Sequence, residues 1–199
     1  MGLFTLYLFA IVFLPAYLCG SIPFGLIITK LVGNIDIRTQ GSGSIGATNT
    51  TRALGKKYGA LVLFLDGMKA FIPVMLAKHY FPNGLVIPTF IALFVIMGHC
   101  FPIWLKFKGG KGISSLIFSL LAINLKMGIL FLLIWYIIYK STKIVSLASL
   151  FATLIVNIVT CFILKPVSVP LSFITLVVFF KHRDNIKRIM KGEEMGFKK

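Results

Sequence analysis

Acid is what this chain has least of. Five aspartates and glutamates stand against 21 lysines and arginines in 199 residues, giving a formal charge of +16. Only Asp36, Asp66 and Asp184 lie away from the tail end, so side chains that could act as general bases are scarce. Cysteine is also sparse. Cys19, Cys100 and Cys161 stand alone in apolar stretches with no C-x-x-C pair, which points away from redox and zinc chemistry and toward small apolar fillers. No cluster of His, Cys, Asp or Glu has metal-ligand spacing, so neither a metal nor another cofactor is expected. A G-x-S-x-G nucleophile elbow is missing. The N-terminus has no basic stretch before its apolar run, so a cleaved signal peptide is not expected. With no internal repeat, the inverted-repeat signature of many transporters lacks support.

What the chain has instead is apolar length. It is 58% hydrophobic with a mean hydropathy of +0.95, well above soluble domains at roughly 45–50% apolar. Apolar runs fall at 3–28, 58–77, 85–104, 112–139, 144–164 and 167–180. The expectation is an all-α, polytopic transmembrane helix bundle forming one domain over residues 1–199. A crossing needs about 20 residues, and the long run 112–139 is interrupted by Asn124, Lys126 and Gly128. Splitting it into 112–124 and 127–139 makes seven spans. Pro23 is expected to kink the first of them.

The basic residues favour seven over six. Loop 29–57 holds five, loop 105–111 three, loop 140–143 two and the tail 181–199 seven of the 21. Seven spans gather all four regions on one face, which the positive-inside rule makes cytoplasmic. The N-terminus is then outside and the C-terminus inside. Positive charge held in loops between apolar runs faces anionic headgroups or substrates and does not suggest nucleic acid.

Three motifs lie on that face. The first is Gly41-Ser42-Gly43-Ser44-Ile45-Gly46-Ala47-Thr48-Asn49 with Arg52. Its glycines allow sharp turns and close approach, and successive N–H groups can form an anion nest. Ser42, Ser44, Thr48 and Asn49 add donors, while Arg52 offers a planar fork for phosphate. A flexible polar linker is the plain alternative. The second is Gly98-His99-Cys100-Phe101-Pro102 followed by Phe107-Lys108-Gly109-Gly110-Lys111-Gly112. Two lysines flank a glycine pair just before a helix N-terminus, where unpaired N–H groups favour anions. A lipid-headgroup anchor is the alternative here, and His99 alone reads as a hydrogen-bonded structural histidine. The third is Lys181-His182-Arg183-Asp184-Asn185-Ile186-Lys187-Arg188, then Gly192-Glu193-Glu194. By itself it reads as a basic tail beside the membrane. Asp66 and Lys69, at i,i+3 inside a run, read as a structural ion pair.

Taken together, these motifs resemble those of the bacterial acyl-phosphate:glycerol-3-phosphate acyltransferases, small integral membrane enzymes of phospholipid synthesis. The likeness covers about residues 18–194. It carries Ser42, Gly43, Gly46, Thr48, Asn49 and Arg52 from the first motif. From the second come His99, Lys108, Gly109, Gly110, Lys111 and Gly112, and from the third His182, Arg183, Asn185 and Glu194. The stretch Ser146–Ser149 is also similar. Ser44 departs from the family's usual asparagine, and Ser114-Ser115 from Ala-Thr. The resemblance implies acyl transfer from acyl phosphate to glycerol 3-phosphate at the bacterial cell (inner) membrane. The products are lysophosphatidic acid and phosphate, and the enzyme is coupled to one that makes the acyl phosphate. Ser42, Arg52, Lys111, His182 and Asn185 are the expected catalytic set. Gly43, Ser44, Gly46, Thr48, Asn49, His99, Lys108, Gly109, Gly110, Gly112, Ser146 and Arg183 are expected to bind substrate. Neither His79, His99 nor His182 begins an H-x-x-x-x-D motif, in keeping with a donor other than acyl-CoA. The base is either a substrate phosphate or His182. A transporter or flippase for a phosphorylated solute or lipid would use similar loops, but with ionisable groups near the midplane and on both faces.

Overall fold

The computed structural model describes residues 3–196, with side chains from Ala10 onward, and its regular elements are all helical. Residues 1 and 2, and Lys198 and Lys199 of the basic tail, lie outside the described residues. Ten α-helices follow one another: α1 (Leu3–Gly20), α2 (Phe24–Gly33), α3 (Ala47–Leu54), α4 (Lys56–Tyr80), α5 (Val86–Cys100), α6 (Ile113–Ile123), α7 (Leu125–Thr142), α8 (Val145–Ile163), α9 (Lys165–Lys181) and α10 (Arg183–Met190).

The long run 112–139 does divide, and Asn124 divides it. Its side-chain oxygen accepts from the N–H groups of Lys126 and Met127, capping α7. The first run departs from its expected kink. It breaks outright, ending at Gly20 and resuming at Phe24. Pro23 precedes α2 and donates nothing to a helical ladder. Five stretches among the described residues are long and apolar enough to cross a bilayer by themselves: Ala10–Gly33, Lys56–Tyr80, Val86–Leu105, Leu125–Thr142 and Val145–Ile163. Helix α6 has 11 residues and α9 has 17, both short of the usual ~20.

Small residues set how closely the helices meet. A Cβ on Gly20 would fall on the Val95 carbonyl, and one on Gly98 on the Tyr17 carbonyl. Backbone therefore lies against backbone where α1 crosses α5. Gly67 of α4 lies beneath Phe118 of α6, and Gly128 of α7 against Leu121. Val95, Ile96, Leu116, Ile174 and Val178 fill the centre, while Phe162, Leu176, Leu133 and Ile137 project outward. Lipid tails are as apolar as these side chains, so cohesion comes from packing and from polar ties between helices.

Those ties mark two ends. At one, the Lys78 ammonium donates to the carbonyls of Ala122 and Ile123 at the close of α6. At the other, the Tyr17 hydroxyl donates to Phe101 O, and the Lys181 ammonium to Cys100 O. All three motif segments gather at the second end.

Candidate active site

The first loop is built around Asn49. Its amide nitrogen donates to the carbonyls of Ile37, Gln40 and Ser44 at 3.2, 2.9 and 2.9 Å. Its amide oxygen accepts the Ser42 N–H at 3.1 Å. The expected ligand donor is thus turned inward and holds the loop's shape. Gly43 takes a positive φ of 68°, a left-handed conformation that glycine adopts without strain. Gly25 of α2 lies directly under the Ile45 carbonyl, where a Cβ would collide, so α2 seats the loop. Gly46 leads into α3, where Thr48 is half-buried. Ser44 accepts the Gly46 N–H with its hydroxyl at 3.4 Å. Ser42 is half-buried, and its hydroxyl makes no hydrogen bond to described residues.

The second loop folds back on the end of α5. The N–H of Gly109 donates to Cys100 O and that of Gly110 to His99 O, both at 3.1 Å. A Cβ on Gly110 would strike the His99 ring, so the imidazole is the floor of this loop. Gly112, at φ 84°, turns the chain into α6. Lys111 points to the site. Burial lowers its pKa to about 8, with opposing effects from Glu194 and from its cationic neighbours Arg188 and Arg52. Its ammonium makes no hydrogen bond or ion pair with described residues, whereas Lys108 is exposed.

The third segment supplies His182, Asn185 and Glu194. His182 is buried between α9 and α10, with its Nδ1 2.8 Å from Val178 O. Nδ1 donating there leaves Nε2 as the ring's acceptor. Burial pushes the pKa of His182 down to about 4, and the Lys111 charge pushes the same way. The Glu194 carboxylate accepts from Ser146 Oγ at 2.8 Å, from Asn185 Nδ2 and from Arg188 Nε at 2.6 Å. Burial opposes its ionisation, but those three hydrogen bonds and the Arg188 charge hold it below the ordinary glutamate value. The other amide atom of Asn185, Oδ1, is buried without a partner.

Arg52 closes the group. Its guanidinium donates to the carbonyls of Gly196 and Met195 at 2.8–3.2 Å. Glu194 and Arg188 are its electrostatic neighbours, as they are for Lys111. Residues 52, 111, 146, 182, 185 and 194 therefore meet at one place. Arg183 stands apart, exposed and stacked on Phe180 at 4.9 Å. His99 is also apart, sealed in the bundle with Asp66 and Lys69. Arg188 and Lys181 were not singled out as site residues by sequence. In a tail dense with cations, nothing separates the one that grips Glu194 from the rest.

The result is a cluster of three cations, a neutral histidine and one carboxylate fully engaged by its neighbours. Charge-assisted donors of this kind bind oxyanions and stabilise developing negative charge. The family model described as glycerol-3-phosphate acyltransferase matches residues 10–192. The glycerol-3-phosphate acyltransferase of Aquifex aeolicus (strain VF5) is 41% identical over 192 residues, 96% of this chain and 98% of that protein. That of Wolbachia sp. subsp. Brugia malayi (strain TRS) is 40% identical over 187 residues, 94% and 97% of the two chains. Two crystal structures of PlsY (YgiH), an integral membrane glycerol 3-phosphate acyltransferase, share the fold. The glycerol 3-phosphate form superposes with a TM-score of 0.88 at 39% identity, covering 94% of each chain. The lysophosphatidic acid form gives 0.84 at 39% identity, covering 95% of this chain and 94% of the other. A helical membrane bundle whose three polar loops converge on one cationic cluster, matched over nearly its whole length, places this chain in the glycerol-3-phosphate acyltransferase family.

Proposed function

We propose that the chain transfers a fatty acyl group from acyl phosphate to glycerol 3-phosphate at the cytoplasmic surface of the bacterial cell membrane. The observation that carries this reading is the meeting of Arg52, Lys111, His182 and Asn185 around Glu194. A primary hydroxyl oxygen of glycerol 3-phosphate attacks the acyl carbonyl carbon. A new ester C–O bond forms as the bond from that carbon to the phosphate oxygen breaks. Inorganic phosphate leaves, and lysophosphatidic acid remains.

Both substrates bring phosphates, and Arg52 and Lys111 are the cations with which to hold them. Ser42 offers a free hydroxyl to the same ligands. Glu194, the carboxylate inside the cluster, is engaged by three donors and so is not free to act as base. A histidine with its pKa near 4 is a weak proton acceptor at neutral pH. The hydroxyl proton therefore passes to a substrate phosphate, whose second pKa of about 6 suits the task. His182 Nε2 accepts a hydrogen bond from the neighbouring secondary hydroxyl of glycerol 3-phosphate, which orients the attacking alcohol and leaves its proton for the phosphate.

The acyl chain belongs in the bilayer, since each buried methylene contributes roughly 0.8 kcal/mol. A site at the loop end of the bundle lets a lipid donor meet a soluble dianion. We infer seven crossings, α1 and α4 to α9, with the loop end cytoplasmic. Membrane-impermeant labelling of cysteines placed at positions 2 and 195 is expected to reach opposite sides, and labelling from one side would overturn that count.

The deciding assay gives purified protein palmitoyl phosphate and labelled glycerol 3-phosphate. Lysophosphatidic acid and phosphate should appear together, while palmitoyl-CoA supports little or no turnover. Equal rates with both donors would refute the donor assignment.

A further inference from the structure

One charged cluster lies outside the proposed chemistry. The Lys69 ammonium sits 2.6 Å from Asp66 Oδ1, with the two side chains 2% and 1% exposed. His99 Nδ1 faces the same oxygen at 3.5 Å and is itself buried. Charges inside a membrane bundle are expensive, and one that persists serves a purpose. A simple ion pair would satisfy itself, but these residues reach further. The Lys69 ammonium also donates to Ile22 O at 2.7 Å, within the break between α1 and α2. The Phe24 ring, at the start of α2, lies 5.7 Å from the same nitrogen. Ser115, in the first turn of α6, donates to the Asp66 carbonyl at 2.8 Å. His99 presents its carbonyl to Gly110 N–H and its ring to the underside of Gly110.

Each contact ends on an element that carries a cradle loop. The break at Ile22 sets α2, and α2 seats the first loop through Gly25 and Ile45. Ser115 fixes the start of α6, just after Lys111. His99 supports Gly110, just before Lys111.

We propose that Asp66, Lys69 and His99 form a buried positioning device for the site, with His99 holding the glycine pair so that Lys111 is delivered to the oxyanion cluster. His99 is then a positioning residue and not a phosphate ligand, which its burial against Asp66 also favours. The proposal rests on the acyltransferase reading for its purpose, but the geometry of Lys111 can be read without turnover.

The test uses the full chain in detergent micelles. Amine acetylation at Lys111 is followed against pH by peptide mass spectrometry, with palmitoyl phosphate kinetics on the same samples. Wild type should show a Lys111 midpoint near 8, which its burial sets. In His99→Ala the midpoint should climb toward 10.5, the ordinary lysine value, as the loop loosens and Lys111 meets water. kcat should fall about 10- to 100-fold, as small misplacements of a reacting group do, with a smaller change in the glycerol 3-phosphate KM. Should His99→Ala fail to fold, His99→Gln is read in the same way. Phe131→Leu, deep in the core of α7, is the control and should leave the midpoint where it was. A midpoint in the His99 variant unchanged from that of wild type overturns the proposal whatever the rate. A midpoint that moves in a protein inactive toward acyl phosphate upholds the device and sinks the donor assignment instead.

Discussion

Two charge clusters with similar ingredients sit in this bundle and behave differently. Asp66, Lys69 and His99 combine one carboxylate with one ammonium and one imidazole, and side-chain exposure is 1–3% throughout. Arg52, Lys111, Arg188, His182 and Glu194 combine the same groups with two more cations. In the inner cluster the ammonium is matched to the carboxylate, and its further donor reaches backbone at Ile22. In the outer cluster the carboxylate is taken by Ser146, Asn185 and Arg188, which leaves Lys111 without an anion of its own. The difference is one of stoichiometry. Matched charge builds structure, and under the proposed function a surplus of one sign serves a ligand.

The largest effect should come from unbalancing the inner cluster. Lys69→Met leaves a buried carboxylate uncompensated, and stability should drop by about 3–5 kcal/mol. Adding Asp66→Asn to it should restore much of that loss, since a neutral pair carries no orphan charge. Thermal unfolding in one detergent measures both. A double variant no better than the single would break the matched-charge account.

Removing the surplus should instead spare the fold and cost activity. Arg52→Ala and Lys111→Ala should each lower kcat/KM about 10- to 150-fold, equivalent to about 1.5–3 kcal/mol for one charge-assisted contact. Lys140→Ala, at an exposed position on α7, should change nothing measurable. Wild-type kinetics in both cradle variants would mean the outer cluster is not the site.

Replacing His182 should have a smaller consequence. His182→Gln can still make a hydrogen bond, so it should keep activity within about 10-fold of wild type and retain a pH limb near the phosphate pKa of roughly 6. Loss of that limb with a drop of about 10²–10⁴ would make the histidine the base after all.

The smallest effect is a shift in pH profile. Lys111 is charged below about 8 and neutral above it. kcat/KM reports the free enzyme, so it should fall as pH rises through that value. In Lys111→Arg this fall should move to higher pH, because a guanidinium stays protonated past ~12. An unshifted limb would belong to some other group.

Much of the frame was legible because it depends on local chemistry. Asn124 marks the split in the longest apolar run by being a side chain that caps. Asp66 and Lys69 announce a pair by sitting three apart on one helix. What escaped depends on chain path. Asn49 is a plausible ligand donor in sequence, and only the fold shows its amide closing on Ile37, Gln40 and Ser44. Pro23 signals a disturbance, but whether a helix bends or breaks depends on what the backbone at the break finds to bond with. At Ile22 the carbonyl accepts from Phe24 N–H and from Lys69, 47 residues away. Choosing Arg188 among the tail cations likewise needs the position of Glu194.

The hold of the tail on Arg52 has a consequence for selectivity. The guanidinium already has carbonyl oxygens of Met195 and Gly196 on its fork. Under the proposed function, ligand binding there is an exchange, in which neutral oxygens give way to charged ones of similar geometry. An exchange returns little to a small spherical anion such as chloride, which cannot replace several directed bonds at once. A phosphate has the oxygens to replace them all and brings charge in addition. The abundant simple ions of the cell are thereby put at a disadvantage before any substrate arrives, by two peptide carbonyls with no chemistry of their own.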